Sequence, residues 1–178
     1  MNCIKKIQIT VLLVLIFSGN VFAKEFLPKT EFQVCFTPYQ NCTAEIIHVI
    51  DAAKKSIYMQ AYSFTSRPIA RALIDAKRRG VKVSVILDKS QFMPDHYSAA
   101  RSLIKRGISV WNDDGLDIAH NKVIIVDESV VETGSFNYTN SAQHYNAENV
   151  LIIYSKALAQ AYLNNWIRRE RVSRRVEH

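Results

Sequence analysis

The chain of 178 residues carries 23 lysines and arginines against 16 acidic residues, a formal charge of +7, and 48% of it is hydrophobic. That length suits one compact domain and excludes two large ones. The basic excess favours a polyanionic partner through electrostatic steering, but charge alone does not separate nucleic acid from an anionic lipid.

Residues 1–23 read as a signal peptide. Lys5 and Lys6 form a positive start, Ile7 to Phe17 is almost continuously apolar, and Val21-Phe22-Ala23 places small residues for cleavage before Lys24. A retained membrane anchor is the other reading, although the apolar run is short for a full bilayer span. Either one puts residues 24–178, a single domain, outside the cytoplasm, so the expected location is periplasmic or secreted. Once Cys3 is removed, Cys35 and Cys42 remain, and in an exported chain a disulfide between them is expected. Two free buried thiols are the alternative.

Phe32 to Phe36 reads as a strand and Pro38 to Asn41 as a turn. Thr43 is placed to cap a helix to about Ala53, with Ile46, Ile47, Val49 and Ile50 as its apolar stripe. A strand from Ser56 to Tyr62 and a helix from Arg67 to Arg79, ended by Gly80, come next. Val81 to Leu87 alternates and then turns fully apolar, which marks a strand. A helix from Asp95 to Lys105, a strand from Ile108 to Trp111 and a loop from Asn112 to Asp117 follow. Beyond the central motif come a strand from Asn149 to Tyr154 and a helix from Lys156 to about Arg169, capped by Ser155. The alternation predicts an α/β domain, a central sheet with helices packed over it.

The central motif begins at Ala119-His120-Asn121-Lys122. Val123 to Val126 is a β-branched run ended by the turn Asp127-Glu128-Ser129, and a second strand is expected from about Val130 to Phe136. Side chains alternate along strands, so His120 and Lys122 share one face, as do Ser135 and Asn137 on the returning strand. Paired, they bring together an imidazole, an ammonium, a hydroxyl and an amide. Histidine can attack phosphorus without metal activation, while Lys122 and Asn137 can hold the non-bridging oxygens. Ser135 is assigned to hydrogen bonding near the phosphate or the histidine, and Gly134 to a close backbone approach. Asp127, one face away from His120, is assigned to brace the turn or an adjacent basic group.

The pattern His120-x-Lys122, Asp127 and Gly134-Ser135-x-Asn137 resembles the complete signature of the phospholipase D superfamily. Within it the similarity is greatest to the small single-motif secreted bacterial endonucleases, from about Phe32 to Arg169. The resemblance implies an α-β-α sandwich with a central mixed β-sheet flanked by helices, a covalent phosphohistidine at His120, and no cofactor or metal. It also implies that Glu148 accepts a hydrogen bond from the His120 ring and fixes its tautomer. In-line displacement needs a second proton-handling group opposite the nucleophile. His48, His96, His144 and His178 all lack the lysine two residues on. The expected answer is a homodimer whose active site lies at the two-fold interface, with His120 of the partner subunit as acid and base. The expected substrate is DNA, with RNA left open, cut without sequence preference because nothing resembles a recognition helix.

Three other readings compete. The same chemistry serves a phospholipid such as cardiolipin, although no stable membrane association is expected after signal cleavage. Asp113, Asp114, Asp117 and His120 can be drawn as a metal site, but that leaves Lys122 and Asn137 unexplained. A non-enzymatic exported nucleic-acid-binding protein would make His120 dispensable. For the substrate groove, residues 63–65 and 88–90 supply candidate loops. Tyr62, Phe64 and Trp111 could stack on bases, with core packing favoured for at least two of them. Arg168, Arg169, Arg171, Arg174 and Arg175 form a basic tail that either contacts phosphates or frays.

Overall fold

The strands are β1 (Phe32–Phe36), β2 (Ser56–Ala61), β3 (Lys82–Asp88), β4 (Ser109–Asp113), β5 (Lys122–Val126), β6 (Val130–Gly134), β7 (Asn149–Tyr154) and β8 (Arg174–Val176). They form one mixed sheet in the order β1-β7-β6-β5-β2-β3-β4-β8. The pairs β2·β3 and β3·β4 are parallel and all others antiparallel. The helices are α1 (Cys42–Ala52), α2 (Arg67–Arg78), α3 (Ala100–Lys105), α4 (Asn140–His144) and α5 (Lys156–Val172). This computed structural model describes residues 25–94 and 97–177. The expected signal peptide, and Asp95 and His96 at the start of an expected helix, lie outside the described residues.

Alternation along the central strands divides the core in two. Ile57, Met59, Val83, Val85, Ile124 and Ile152 face a large apolar cluster that also holds Ile46, Leu73 and Leu103 from α1, α2 and α3. Tyr58, Ile86, Val123, Ile125 and Val131 face the other way, onto Ala159, Leu163 and Trp166 of α5. Each fully buried aliphatic side chain contributes about 2 kcal/mol. Trp166 also donates its indole N–H to the Met59 carbonyl at 3.0 Å, which fixes α5 across the sheet. The expected α-β-α sandwich is the fold observed.

Several local expectations are corrected. Asn41, not Thr43, caps α1: its side chain accepts the Ala44 N–H at 3.1 Å, while the Thr43 N–H goes to Gln143 Oε1 at 2.8 Å. A short 3-10 turn at Lys89–Phe92 follows β3, and α3 starts at Ala100, where the Ser98 hydroxyl accepts the Ala100 N–H at 3.1 Å. The helix α4 is unforeseen; Thr139 caps it by accepting the Ala142 N–H at 3.1 Å. The basic tail does not fray. α5 continues to Val172, and β8 pairs with β4. Cys35 and Cys42 are joined as a disulfide.

Candidate active site

The motif residues gather at one edge of the sheet, where β2, β3 and β4 end and β5 and β7 begin. Three contacts hold the segment that leads into β5. Asp88, buried at the end of β3, accepts the Ala119 N–H on Oδ2 at 2.7 Å and the Ser90 N–H on Oδ1 at 2.9 Å. The Lys89 ammonium donates to the Leu116 carbonyl at 2.9 Å. The Tyr62 N–H donates to the Asn121 carbonyl at 3.0 Å. Between these ties His120 emerges exposed. Its ring lies against Tyr62, with centroids 4.6 Å apart and a tilt of 53°.

Lys122 opens β5 and is only 7% exposed. Its ammonium donates to the His120 carbonyl at 3.0 Å and lies 5.2 Å from the Tyr62 ring centre. Tyr62 therefore supports both the imidazole and the ammonium. Burial lowers the Lys122 pKa, and the negative charge of Glu148 partly opposes that shift. In such a desolvated position the ammonium acts on a nearby anion through less screening water.

The returning strand brings the other motif residues. At Gly134 a Cβ would lie 2.9 Å from the Asn149 carbonyl carbon, so β6 and β7 can close only around glycine. The Ser135 hydroxyl donates to Glu148 Oε2 and accepts the Asn149 N–H at 3.1 Å. Glu148 Oε1 accepts from Asn146 Nδ2 at 2.9 Å. The expected bond between Glu148 and the His120 ring is absent among the described residues. The closure at Gly134 puts the Ser135 hydroxyl beside residues 148 and 149, and the carboxylate is spent on Ser135 and Asn146. Asn137 Oδ1 is buried and has no hydrogen-bond partner among the described residues.

Asp127 belongs elsewhere. It ends β5 at the opposite edge of the sheet, where its carboxylate accepts the N–H groups of Lys54, Lys55 and Ser56 at 2.7–2.9 Å. Burial would raise its pKa, but these backbone bonds and the Lys55 charge hold it below the usual carboxylate value. It braces the α1-to-β2 turn.

Two of the three aspartates in the metal reading are otherwise engaged. Asp113 is held by Arg169 and Asp114 by Arg174, and among the described residues no group of three or more potential ligands is placed to hold a metal ion. Of the three candidate stacking aromatics, Phe64 is fully buried against Tyr138. Trp111 packs on Trp166 and under Arg175. Only Tyr62 is at the site. Sequence reasoning placed Asp88 only in a candidate groove loop, although a carboxylate closing a buried parallel strand sits where α/β sheets form sites. It also missed Glu132, a carboxyl inside a core strand that accepts the Tyr138 hydroxyl at 2.7 Å.

Comparison with known proteins agrees with this arrangement. The family described as cardiolipin synthase, PLD-like domain, matches residues 46–169. The chain is 44% identical over 157 residues to a phospholipase D of Rickettsia prowazekii, covering 88% of this chain and 76% of the other. It is 32% identical to the mitochondrial cardiolipin hydrolase of Xenopus laevis, covering 76% and 69% of the two chains. The crystal structure of Nuc, a phospholipase D family member from Salmonella typhimurium, superposes with a TM-score of 0.78 at 36% identity, covering 84% of this chain and all of Nuc.

Proposed function

The chain belongs to the phospholipase D superfamily and is a phosphodiesterase of that family, and from this premise we propose that it is a metal-independent, sequence-nonspecific endonuclease acting on DNA, and on RNA where the strand is accessible. One observation carries the reading: the exposed His120 imidazole stands on Tyr62 with the buried Lys122 ammonium beneath it. A nucleophile and a cation are thus offered to one phosphate at an open edge. The full-length match to Nuc and the basic balance of the chain favour a polynucleotide.

His120 attacks phosphorus, forming an N–P bond as the P–O bond to the leaving nucleotide breaks. His120 of the partner subunit gives a proton to that oxygen, then takes one from the water that cleaves the N–P bond. Lys122 and Asn137 hold the non-bridging oxygens. Ser135 and Glu148 form the wall beside them, with Glu148 facing Lys122 as a counter-charge.

An apolar strip of the sheet that is exposed along β1 among the described residues supports the homodimer. On the α5 side, Phe32, Val34 and Phe36 of β1 lie beside Ile153 and Leu151 of β7, and the three β1 residues are exposed. The strip ends where Phe36 pairs with Asn149, a partner of Ser135. A second copy covering it would lie against the site. Refolding equal amounts of wild type and His120→Asn together should leave about a quarter of the activity, because only dimers with both histidines turn over. Half the activity would mean that each chain works by itself, and about three quarters that one histidine per dimer suffices.

The rival is a phospholipid substrate, favoured by the names of the Rickettsia and Xenopus relatives. Parallel turnover of oligonucleotide, cardiolipin vesicles and bis(p-nitrophenyl) phosphate decides between them. Hydrolysis of lipid without nucleic acid would overturn the nuclease reading, and activity surviving His120→Asn would overturn both. Export to the periplasm or medium is the proposed location, supported by the Cys35–Cys42 disulfide. The mass of the mature protein tests cleavage before Lys24.

A further inference from the structure

We propose that a single nucleic-acid strand leaving the catalytic edge runs over the N-terminus of α2, with a base stacked on Tyr39 and its phosphates held by Arg67, Arg71 and Arg106. This path rests on the nuclease reading and extends it to the strand beyond the cleaved bond. Two hollows joined at Arg67 and Pro68 form it, of about 580 Å³ and about 810 Å³.

The first hollow starts beside the site, since its wall includes Thr139, two positions after Asn137, and Thr65, whose N–H donates to the Tyr138 carbonyl at 2.9 Å. Its rim carries Tyr39, 96% exposed. A lone exposed aromatic is ordinary, but this one stands on a rigid mount. The Cys35–Cys42 disulfide closes its loop. Gln143 of α4 then bolts that loop in place, donating to the Gln40 carbonyl at 2.9 Å and accepting the Thr43 N–H at 2.8 Å. A flat ring held open to solvent is a platform for an unpaired base.

The second hollow is basic. Its two carboxylates, Asp51 and Asp75, are engaged by Arg79 and Arg78, so they do not cancel Arg67, Arg71 and Arg106, which are exposed. Arg67 donates from Nε to the Tyr97 hydroxyl at 3.0 Å, leaving its terminal nitrogens for a phosphate. The hollow lies on the α2 and α3 side of the sheet, opposite α5, and stays open when a second copy covers β1 and β7.

The test is fluorescence anisotropy in the His120→Asn background, using a labelled single strand of about 20 nucleotides. Tyr39→Ser and Arg67→Ser/Arg71→Ser should each weaken binding about tenfold, and the arginine pair should lower the salt slope by about 1 to 2. Lys54→Ser/Lys77→Ser, which removes equal charge elsewhere, should change binding less than about twofold. Thermal midpoints check the fold, and Arg71→Ser/Arg106→Ser replaces the first pair should Arg67→Ser unfold α2. Binding losses no larger than in the lysine control, or no binding of the strand at all, would overturn the path. Hydrolysis of the same strand by the wild type reports separately on the nuclease reading: hydrolysis with unchanged binding in the variants sinks only the path, and loss of binding without wild-type hydrolysis sinks only the nuclease.

Discussion

The Asp88 carboxylate meets the Ala119 N–H at 2.7 Å across 31 positions of sequence, and so the end of β3 sets where His120 begins. Asp88→Ala would leave two N–H groups without an acceptor, a cost of about 1–3 kcal/mol each where buried. The larger effect should be kinetic. A displaced nucleophile loses about a hundredfold in kcat, with little change in KM for a small diester. Asp88→Asn keeps one acceptor and should fall between. Steady-state kinetics with bis(p-nitrophenyl) phosphate, alongside urea unfolding, checks this; a destabilised variant with normal kcat would show that Asp88 only supports the fold.

That contact also marks what could be read from the chain alone. The strand around Val83 is legible from alternation and the one around Ile124 from its β-branched run, both of them local signals, and the motif is legible because its residues fall within one hairpin. Asp88 and Ala119 belong to different hairpin and crossover units, so no local period links them. Glu148 shows the converse. The family resemblance implies a bond from the His120 ring to its carboxylate, but the tight closure at Gly134 delivers Ser135 to it first. The arginine tail read as a charge run because its carboxylate partners lie 56 and 60 positions earlier.

Glu132 should make stability fall with rising pH. It is 1% exposed; burial pushes its pKa up to about 8, with the Tyr138 hydrogen bond pulling partly the other way. The unfolded chain releases this proton in the ordinary carboxylate range, so the folded chain binds more protons between there and about 8. The contribution is complete below that range and is lost as pH rises, at up to about 1.4 kcal/mol per unit. Glu132→Gln keeps an acceptor for Tyr138 and cannot ionise. Melting midpoints from acid to mildly alkaline pH should decline less in the variant, and parallel declines would refute the assignment.

The pair Arg169 and Asp113 should hold the C-terminal strand. Arg169 approaches the carboxylate through two nitrogens, and the Asp113 side chain is 1% exposed. The hydrogen bonds that Arg169 donates to Asp113 raise the Arg169 pKa, as expected for a charge-assisted fork. Arg169→Met strands a buried charge, at about 3–5 kcal/mol. Adding Asp113→Leu removes that charge and should recover most of the loss. Urea unfolding of both variants measures it, and equal destabilisation would place the effect in packing instead.

Chelation should leave hydrolysis intact. The proposed nucleophile is an imidazole, and phosphate charge is met by Lys122 and Asn137, so no step passes through a metal ion. Initial rates on DNA after dialysis against excess EDTA should stay within about twofold of the untreated enzyme. A loss restored by magnesium would remove the phosphohistidine scheme.

Gly134→Ala tests whether the hairpin and the site form one unit. The added methyl would meet the Asn149 carbonyl, a backbone group fixed in the β6·β7 pairing at Gly134 and Val150. Relief requires β6 and β7 to part, which costs about 1–3 kcal/mol as overpacking does. The same movement carries Ser135 away from Glu148 and Asn149, and displaces Asn137 behind it. Activity should therefore fall further than stability, by at least tenfold in kcat on bis(p-nitrophenyl) phosphate at a temperature where the variant remains folded. Ser135→Ala, which keeps the backbone and removes only the hydroxyl, separates the two causes. A mild Ser135→Ala with a severe Gly134→Ala would assign the loss to misplaced Asn137, whereas equal losses would assign it to the Ser135–Glu148 contact.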